Sequence, residues 1–221
     1  TIRINDRKIL KAMAAYSGFP EEAYDEVFII LDKMDKIGLE GVEEELVKAG
    51  YEKEKAEKYL ELYREVTPDL AGIRYLKEKL TGFLDPKCAE DLETIITSVE
   101  AVKTADFKLV FDPTLVRGMS YYTGPIFEIS IDGFGGSVGG GGRYDEMIGR
   151  FTGQNTPACG FSVGFERIVM LLLERDYQVP SNAGKKAYLI EKNMPGDKLA
   201  AIFKEAAEER KNGNIVSVNM M

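Results

Sequence analysis

A run of glycines in the second half of the chain constrains the fold more than any other feature of the sequence. Seven of the ten residues from 133 to 142 are glycine. Glycine has no side chain, so such a backbone can approach a ligand or a neighbouring strand closely. The run is not followed by Gly-Lys-Ser/Thr, and it is not a G-x-G-x-x-G motif that opens a crossover helix. A flexible hairpin loop and a ligand-binding platform remain as alternatives.

Strand patterns lie on both sides of the glycine run. Apolar and polar residues alternate over residues 125–132, and residues 159–164 form a small-residue strand. A further strand is predicted over residues 107–111, while the apolar spacing of residues 165–173 predicts a buried helix. Turns rather than crossover helices join these strands, so we expect an antiparallel sheet.

The first half of the chain has a helical pattern. Residues 3–5 are typical of the end of a strand, Asp6 is a suitable N-cap, and a helix is expected from there to Gly18. Residues 21–102 then show helical apolar spacing almost throughout. Residues 21–80 hold 10 Lys or Arg and 17 Asp or Glu, so this helical region is a poor candidate for non-specific phosphate binding.

The last segment indicates part of an α/β unit. A strand is predicted over residues 187–190, an amphipathic helix over 198–211 and a second strand over 215–218. The chain starts without methionine and stops in this last strand region. We therefore expect it to be a middle piece of a longer protein.

The composition narrows the possible chemistry. The chain has no histidine, so a His-containing triad or metal site would need another chain or segment. Cys88 and Cys159 have no C-x-x-C spacing, which argues against a structural zinc site and a disulfide framework. The net charge of −8 excludes a general basic coat for nucleic acid. The longest apolar run, residues 168–173, is far shorter than the roughly 18 residues of a membrane helix.

An arginine and two tyrosines precede the alternating strand. Arg117, Tyr121 and Tyr122 lie in the segment RGMSYYTG, residues 117–124. Such an arginine can clamp an anion, while tyrosine hydroxyls orient a polar small molecule. Taken alone, the composition favours a simpler interpretation, a turn whose tyrosines pack against the core.

A second arginine, Arg167, lies in the first turn of the helix predicted after residue 164. A cation there opposes the helix dipole, so we expect Arg167 to face a phosphate or to pair with an acid such as Glu166. An exposed position at the helix start is the alternative. Together, two arginines, a glycine platform and paired tyrosines suit a nucleoside triphosphate and a small polar substrate. Nucleotidyl chemistry needs positioned positive charge more than it needs a protein nucleophile.

Three ordered motifs resemble those of the histidyl-tRNA synthetase family, whose members are class II aminoacyl-tRNA synthetases. Residues 116–124, VRGMSYYTG, are similar to its first histidine signature, and residues 141–145, GGRYD, to its second. Residues 160–167, GFSVGFER, resemble motif 3 of class II enzymes. Residues 4–10, INDRKIL, are similar to the strand–helix segment that follows motif 2. The resemblance covers nearly the whole chain.

The resemblance implies an α+β fold that contains part of the antiparallel class II catalytic sheet. Residues 1–20 and 103–180 would belong to the catalytic core. Residues 21–102 would form a helical insertion domain that leans on the tRNA acceptor arm, and residues 186–221 would start an α/β anticodon-binding domain. Motifs 1 and 2 are missing from this chain, so it is expected to be inactive alone.

The resemblance also implies a reaction and its site residues. Histidine and ATP would give histidyl-adenylate and pyrophosphate, and histidine would then pass to tRNA(His), with Mg²⁺ accompanying ATP and no metal-ligating residue in this chain. Arg117 would contact the α-phosphate and the histidine carboxylate, and Arg167 would bind the γ-phosphate. The parent protein would be a cytoplasmic homodimer. The other implied site residues are Tyr121, Tyr122, Tyr144 and Gly142 for histidine, and Gly160 and Gly164 for ATP.

Two departures and one alternative accompany the resemblance. Met119 and Ser120 stand where the family usually has Leu and Asp, and the second change removes a charge from the pocket. The alternative is a non-catalytic relative such as the regulatory subunit of the short-form ATP phosphoribosyltransferase. Such relatives tend to lose the ATP-handling arginines and lack the anticodon-binding domain. Arg117 and Arg167 are both present here, and a strand–helix–strand pattern follows residue 186.

Overall fold

The computed structural model describes residues 1–116, 121–178 and 184–221. The sequence predictions for Arg117, Met119 and Ser120 lie outside these residues. The chain divides into two compact units, Thr1–Met170 and Leu171–Met221. Within the described ranges, no helix is long and apolar enough to cross a membrane.

Among the described residues, the first unit contains a five-stranded sheet with the spatial order β2-β1-β3-β4-β5. Pairing is antiparallel from β1 to β3, from β3 to β4 and from β4 to β5, whereas β1 and β2 run parallel. The predicted antiparallel sheet is therefore confirmed, with one parallel strand added at its edge. The strands are β1 (Ile2–Asp6), β2 (Leu109–Phe111), β3 (Pro125–Ser130), β4 (Ser137–Arg143) and β5 (Cys159–Val163).

Strand β1 leads directly into the first helix, α1 (Arg7–Tyr16). Asp6 is the N-cap as predicted, because its carboxylate accepts the backbone N–H of Lys8 at 2.8 Å. The helix ends before Gly18, whose φ of +91° lies in the left-handed region that favours glycine. This junction places the end of β1 and the start of α1 inside the protein, since Asn5, Asp6 and Arg7 are all buried.

The helical prediction for residues 21–102 is confirmed. A 3₁₀ turn at Glu21–Ala23 precedes the helices, and a kink interrupts the second of them at Gly38. Their apolar faces share one core with α1 and with sheet residues such as Phe111 and Ile126, so burial of these faces stabilises the helical region and the sheet together. The helices are α2 (Tyr24–Leu31), α3 (Met34–Lys48), α4 (Lys53–Glu65), α5 (Leu70–Lys79) and α6 (Pro86–Val102).

The glycine run ends in a strand, so its last part is not a flexible loop. Residues 139–142 pair on one side with β3 and on the other side with β5. At Gly141, a Cβ atom would lie 2.6 Å from Cα of Phe161, closer than packed atoms can approach. The missing side chain also lets the rings of Phe127 and Phe161 meet across β4, with centroids 6.4 Å apart. Close strand packing therefore requires glycine at this position.

Two helices follow in the second half of the first unit, and one corrects a prediction. They are α7 (Asp145–Thr152) and α8 (Phe165–Glu174), and the latter begins within the first unit. The apolar spacing of α8 predicted a buried helix, but Phe165 is 76% exposed and Met170 is 54% exposed. The prediction of a buried helix is therefore wrong, because the described residues of the first unit do not cover these two side chains.

The second unit has the strand–helix–strand order that the sequence predicts. It contains β6 (Lys185–Ile190), α9 (Gly196–Lys211) and β7 (Ile215–Met220), and the two strands are parallel. Ile190 and Ala206 are buried, whereas Leu189 and Phe203 remain exposed. The described part of this unit therefore leaves much of its apolar surface uncovered.

The close packing at Gly141 gives a test of the sheet. Gly141→Ala should lower the free energy of unfolding by about 1–3 kcal/mol, because the new Cβ forces β4 and β5 apart. Gly135→Ala is the matched control, since nothing lies within 4 Å of a Cβ at Gly135, and it should stay within about 0.5 kcal/mol of wild type. Urea unfolding of the chain measures both. Equal stabilities of the two variants would contradict the packing argument.

Candidate active site

Strand register places the candidate residues on one face of the sheet. Asn5, Ile126, Gly142 and Gly160 form one row across β1, β3, β4 and β5. Because side chains alternate along a strand, residues two positions away share this face. The second row on this face is Arg3, Glu128, Gly140 and Ser162.

Three tyrosines gather above the first row. The ring centroids of Tyr121 and Tyr122 are 4.4 Å apart, and each lies 6.3 Å from the ring of Tyr144. A Cβ at Gly142 would lie 2.9 Å from Cδ1 of Tyr122, and a Cβ at Gly160 would collide with the hydroxyl of Tyr144. A side chain at position 142 would also lie 2.7 Å from the carbonyl oxygen of Pro125, so glycine is required there, whereas a side chain at position 160 would displace the Tyr144 ring. The structure brings together the four residues that the sequence resemblance assigns to histidine. It places beside them Gly160, which the resemblance assigns to ATP.

Asp145 joins the segments that carry these tyrosines. Its carboxylate accepts Nε–H of Arg143 and the backbone N–H of Ala158, each at 2.8 Å. Its own backbone N–H donates to the hydroxyl of Thr123 at 3.2 Å. The N–H of Ala158 and the neighbouring Arg143 guanidinium hold the pKa of Asp145 below its ordinary value. Thr123 lies in the signature of residues 116–124, and Arg143 and Asp145 lie in that of residues 141–145. The sequence gives none of them an individual role, because their contacts join three separate segments.

Asn5 holds the turn that leads towards residue 117. Its side-chain amide donates to the backbone carbonyls of Pro113 and Leu115, each at 3.2 Å, and it is fully buried. The turn is also held by Asp112, whose carboxylate accepts the backbone N–H of Thr114 at 2.9 Å. Because a buried amide needs hydrogen-bond partners, these two contacts hold the backbone of residues 113–115 in one conformation. The sequence signals for this residue were its place before the N-cap and its position in residues 4–10, which resemble the strand–helix segment after motif 2.

The second row of the face is strongly charged. Arg3 forms ion pairs with Glu128, with Asp112 at 3.1 Å and with Asp35 at 3.5 Å. Arg3, Glu128 and Asp35 line a cavity of about 280 Å³ together with Asp32. Burial, and then the charges of Glu128 and Asp35, raise the pKa of Asp32. Carboxylates outnumber the arginine here, so this end of the face favours a cationic group.

Arg167 lies at the opposite end of β4 from the tyrosines. Its Nη1 donates to the backbone carbonyl of Ser137, the first residue of β4. The nearby Gly164 N–H donates to the carbonyl of Val138 at 2.7 Å. Gly142 lies five residue steps along the strand from Ser137, a distance of about 17 Å. Arg167 thus contacts a backbone carbonyl rather than Glu166, and a ligand that touched both ends of β4 would have to be extended.

These features define a class of protein. An antiparallel sheet with a glycine strand, a tyrosine cluster at one end and an arginine-bearing helix at the other belongs to the class II aminoacyl-tRNA synthetase fold, and solved structures similar to this chain share that fold. A sequence model described as "Histidyl-tRNA synthetase" matches residues 1–168. The chain belongs to the histidyl-tRNA synthetase family.

Individual relatives support this membership. A histidine–tRNA ligase of Leifsonia xyli subsp. xyli is 42% identical, over 94% of this chain and 48% of the relative. The crystal structure of histidyl-tRNA synthetase from Nostoc sp. PCC 7120 has a TM-score of 0.75 at 28% identity, covering 100% of this chain and 52% of the other. The chain therefore spans about half the length of these relatives.

A third comparison concerns the fold alone. The crystal structure of "an ATP phosphoribosyltransferase regulatory subunit/histidyl-tRNA synthetase" from Bacillus halodurans has a TM-score of 0.64. It is 21% identical and covers 100% of this chain and 54% of the other. Synthetases and regulatory subunits can share this architecture, so the fold by itself does not separate the two functions.

Asp145 makes stability depend on pH in the acid range. Its folded pKa lies below the unfolded value of about 3.9, so its stabilisation is complete above that value and is lost as pH falls through the folded pKa. The stability difference between wild type and Asp145→Asn should be largest near about pH 7 and shrink towards about pH 3. Urea unfolding across this range measures it, with the exposed Asp132→Asn as control. A difference independent of pH would contradict the assignment.

Proposed function

We propose that the longer protein containing this chain is a histidine–tRNA ligase. It joins histidine to ATP, giving histidyl-adenylate and pyrophosphate, and then transfers histidine to tRNA(His). The observation that carries the proposal is the tyrosine cluster over Gly142 and Gly160, in a chain whose family is named for this activity. Family membership supplies the class of reaction, and the cluster supplies a pocket for an aromatic, polar side chain.

The tyrosine cluster is the proposed histidine site. Tyr121, Tyr122 and Tyr144 supply flat apolar walls with hydroxyl groups at their edges, which suits a ring that is both aromatic and hydrogen-bonding. Gly142 and Gly160 keep the floor of this pocket free of side chains. Imidazole requires both properties, because an apolar pocket alone leaves its two nitrogens unpaired.

Two arginines are proposed to handle the phosphates. Arg117 contacts the α-phosphate and the histidine carboxylate, and stabilises the charge that develops during adenylate formation. Arg167 binds the γ-phosphate, while Gly164 leaves room for the nucleotide. Gly160, which the resemblance assigns to ATP, is proposed instead for the histidine pocket because it lies beneath the Tyr144 ring. Among the described residues, Arg167 donates one hydrogen bond, to the carbonyl of Ser137. A guanidinium has five N–H groups, so others can bind a phosphate.

Magnesium enters this proposal as part of the substrate MgATP. Within residues 1–116, 121–178 and 184–221, no group of three or more Asp, Glu, His or Cys side chains could hold a metal ion. The triphosphate oxygens are suitable ligands for Mg²⁺, which commonly reaches nucleotide sites in this form. The chain's own contribution is then to bind and orient the phosphates through arginine.

The remaining assignments concern the whole protein. We propose that residues 21–102 act as the insertion domain against the tRNA acceptor arm, and that residues 186–221 begin the anticodon-binding domain. The parent protein acts as a homodimer in the cytoplasm. Residues 1–20 and 103–180 belong to the catalytic core, which this chain supplies only in part.

A regulatory role without catalysis is the second candidate. It is favoured by the structural similarity to the Bacillus halodurans protein, which is described as a regulatory subunit or a histidyl-tRNA synthetase. The two arginines, Arg117 and Arg167, and the strand–helix–strand of the second unit favour the ligase instead. We therefore favour the ligase. Absence of histidine-dependent ATP–pyrophosphate exchange would favour the regulatory role.

Histidine-dependent ATP–pyrophosphate exchange tests the proposed reaction. The full-length protein should catalyse exchange with histidine, whereas this chain alone should be at least about a thousandfold slower, because it lacks half of the phosphate-binding site. A known histidyl-tRNA synthetase serves as the positive control. No exchange by the full-length protein under conditions where the control works would overturn the ligase and favour the regulatory role.

Tyr122 gives a test of the histidine site. Tyr122→Phe in the full-length protein should lower kcat/KM for histidine about tenfold, because removing one hydrogen bond costs about 1.4 kcal/mol. Tyr177→Phe, at an exposed tyrosine of the second unit, is the matched control and should match wild type. Initial rates of exchange at varied histidine concentration measure both variants. An unchanged kcat/KM in Tyr122→Phe would remove this residue from the histidine site.

A further inference from the structure

We infer that Asp145, acting with Thr123 and Arg143, is a positioning residue that sets the spacing between Tyr122 and Tyr144 and thereby the affinity for histidine. This inference rests on the proposed function, because it assigns a specificity role within the same pocket. Asp145 does not touch the substrate in this scheme. It acts through the two tyrosines whose backbone segments it links.

The strand ladder ends next to these tyrosines. The last backbone contacts beside them are Thr123 N–H to the carbonyl of Arg143 and Tyr144 N–H to the carbonyl of Ala158, each at 2.8 Å. Strand β3 begins at Pro125, which has no N–H to extend the ladder. Within the described residues, the backbone ladder between β3, β4 and β5 ends at these two contacts.

The Asp145 carboxylate and backbone replace the missing ladder contacts. One carboxylate oxygen holds the N–H of Ala158, two residues before Gly160, and the other holds Arg143, next to Tyr144. The backbone N–H of Asp145 holds the Thr123 hydroxyl, next to Tyr122. The two hydrogen bonds to the carboxylate, from Arg143 and from Ala158, are charge-assisted and are therefore stronger than neutral hydrogen bonds. Asp145 therefore fixes both walls and the floor of the pocket relative to one another.

This network lies outside the apolar core. The Arg143 side chain is 49% exposed, and a cavity of about 730 Å³ adjoins Thr123, Arg143 and Asp145. Loosening the network leaves the buried core residues of the helical region and the sheet in place. The tyrosine segments would then shift, and a misplacement of about 1 Å can cost about a hundredfold in rate.

The test compares Thr123→Val and Thr123→Ser in the full-length protein. Thr123→Val removes the hydroxyl that accepts the N–H of Asp145, whereas Thr123→Ser keeps it. In ATP–pyrophosphate exchange, Thr123→Val and Asp145→Asn should each raise KM for histidine about tenfold. KM for ATP should stay within about twofold, because Arg167 lies at the other end of β4. Thr123→Ser should restore the wild-type KM for histidine, and the exposed Asp132→Asn is the unrelated control.

The double variant tests whether the two residues act together. If they do, Thr123→Val with Asp145→Asn should raise KM for histidine by much less than the product of the single effects. Unchanged KM for histidine in both single variants would overturn the inference while leaving the ligase intact. Equal rises in both KM values, with a matching fall in Tm, would also overturn it, because they indicate general destabilisation. Absence of exchange in wild type would overturn the proposed function and the inference with it.

Discussion

The four consecutive glycines of strand β4, residues 139–142, are the constraint on which the site depends. On one face, Gly141 lets the rings of Phe127 and Phe161 meet and lets β5 approach closely. On the other face, Gly142 leaves room for the Tyr122 ring. A single Cβ on either face would push apart a pair of strands or a wall of the pocket. The same strand thus connects the stability of the sheet to the shape of the site.

The junction of β1 and α1 is a second organising point, where three consecutive polar residues are buried. Asn5 fixes the turn before residue 117. Asp6 caps α1 and hydrogen-bonds to the thiol of Cys88 in α6, whose pKa is raised by burial and by that carboxylate. The Arg7 guanidinium lies 5.0 Å above the ring of Phe28 and pairs with Asp25. Asn5 contacts the turn, Asp6 contacts α1 and α6, and Arg7 contacts α2. These three neighbouring residues therefore orient the turn and the helices relative to β1.

Local patterns predicted the elements better than they predicted the site. Helical spacing is repeated over residues 21–102 and needs no knowledge of partners, so those helices were confirmed. A strand made of glycine has no apolar alternation, so residues 139–142 left a loop and a platform as alternatives. The role of Asp145 depends on Thr123 and Ala158, which come from other segments, and no spacing rule joins them. The burial of α8 was wrong because apolar spacing indicates which face needs covering, but not whether a neighbour covers it.

The geometry of β4 also explains why one site would use two kinds of side chain. In the proposed function the tyrosine end would recognise histidine by shape and hydrogen bonding, whereas the end near Ser137 presents the guanidinium of Arg167. About 17 Å of strand lies between them, and four of its residues, 139–142, are glycine. An aminoacyl group joined to a nucleotide is extended and is polar in different ways at its two ends. If the two ends bind independently, a change at the tyrosines alters amino-acid affinity and leaves nucleotide affinity intact, because little couples residues this far apart. The glycine strand would therefore allow substitutions at the tyrosine end to change the amino-acid affinity without changing the nucleotide affinity at the other end.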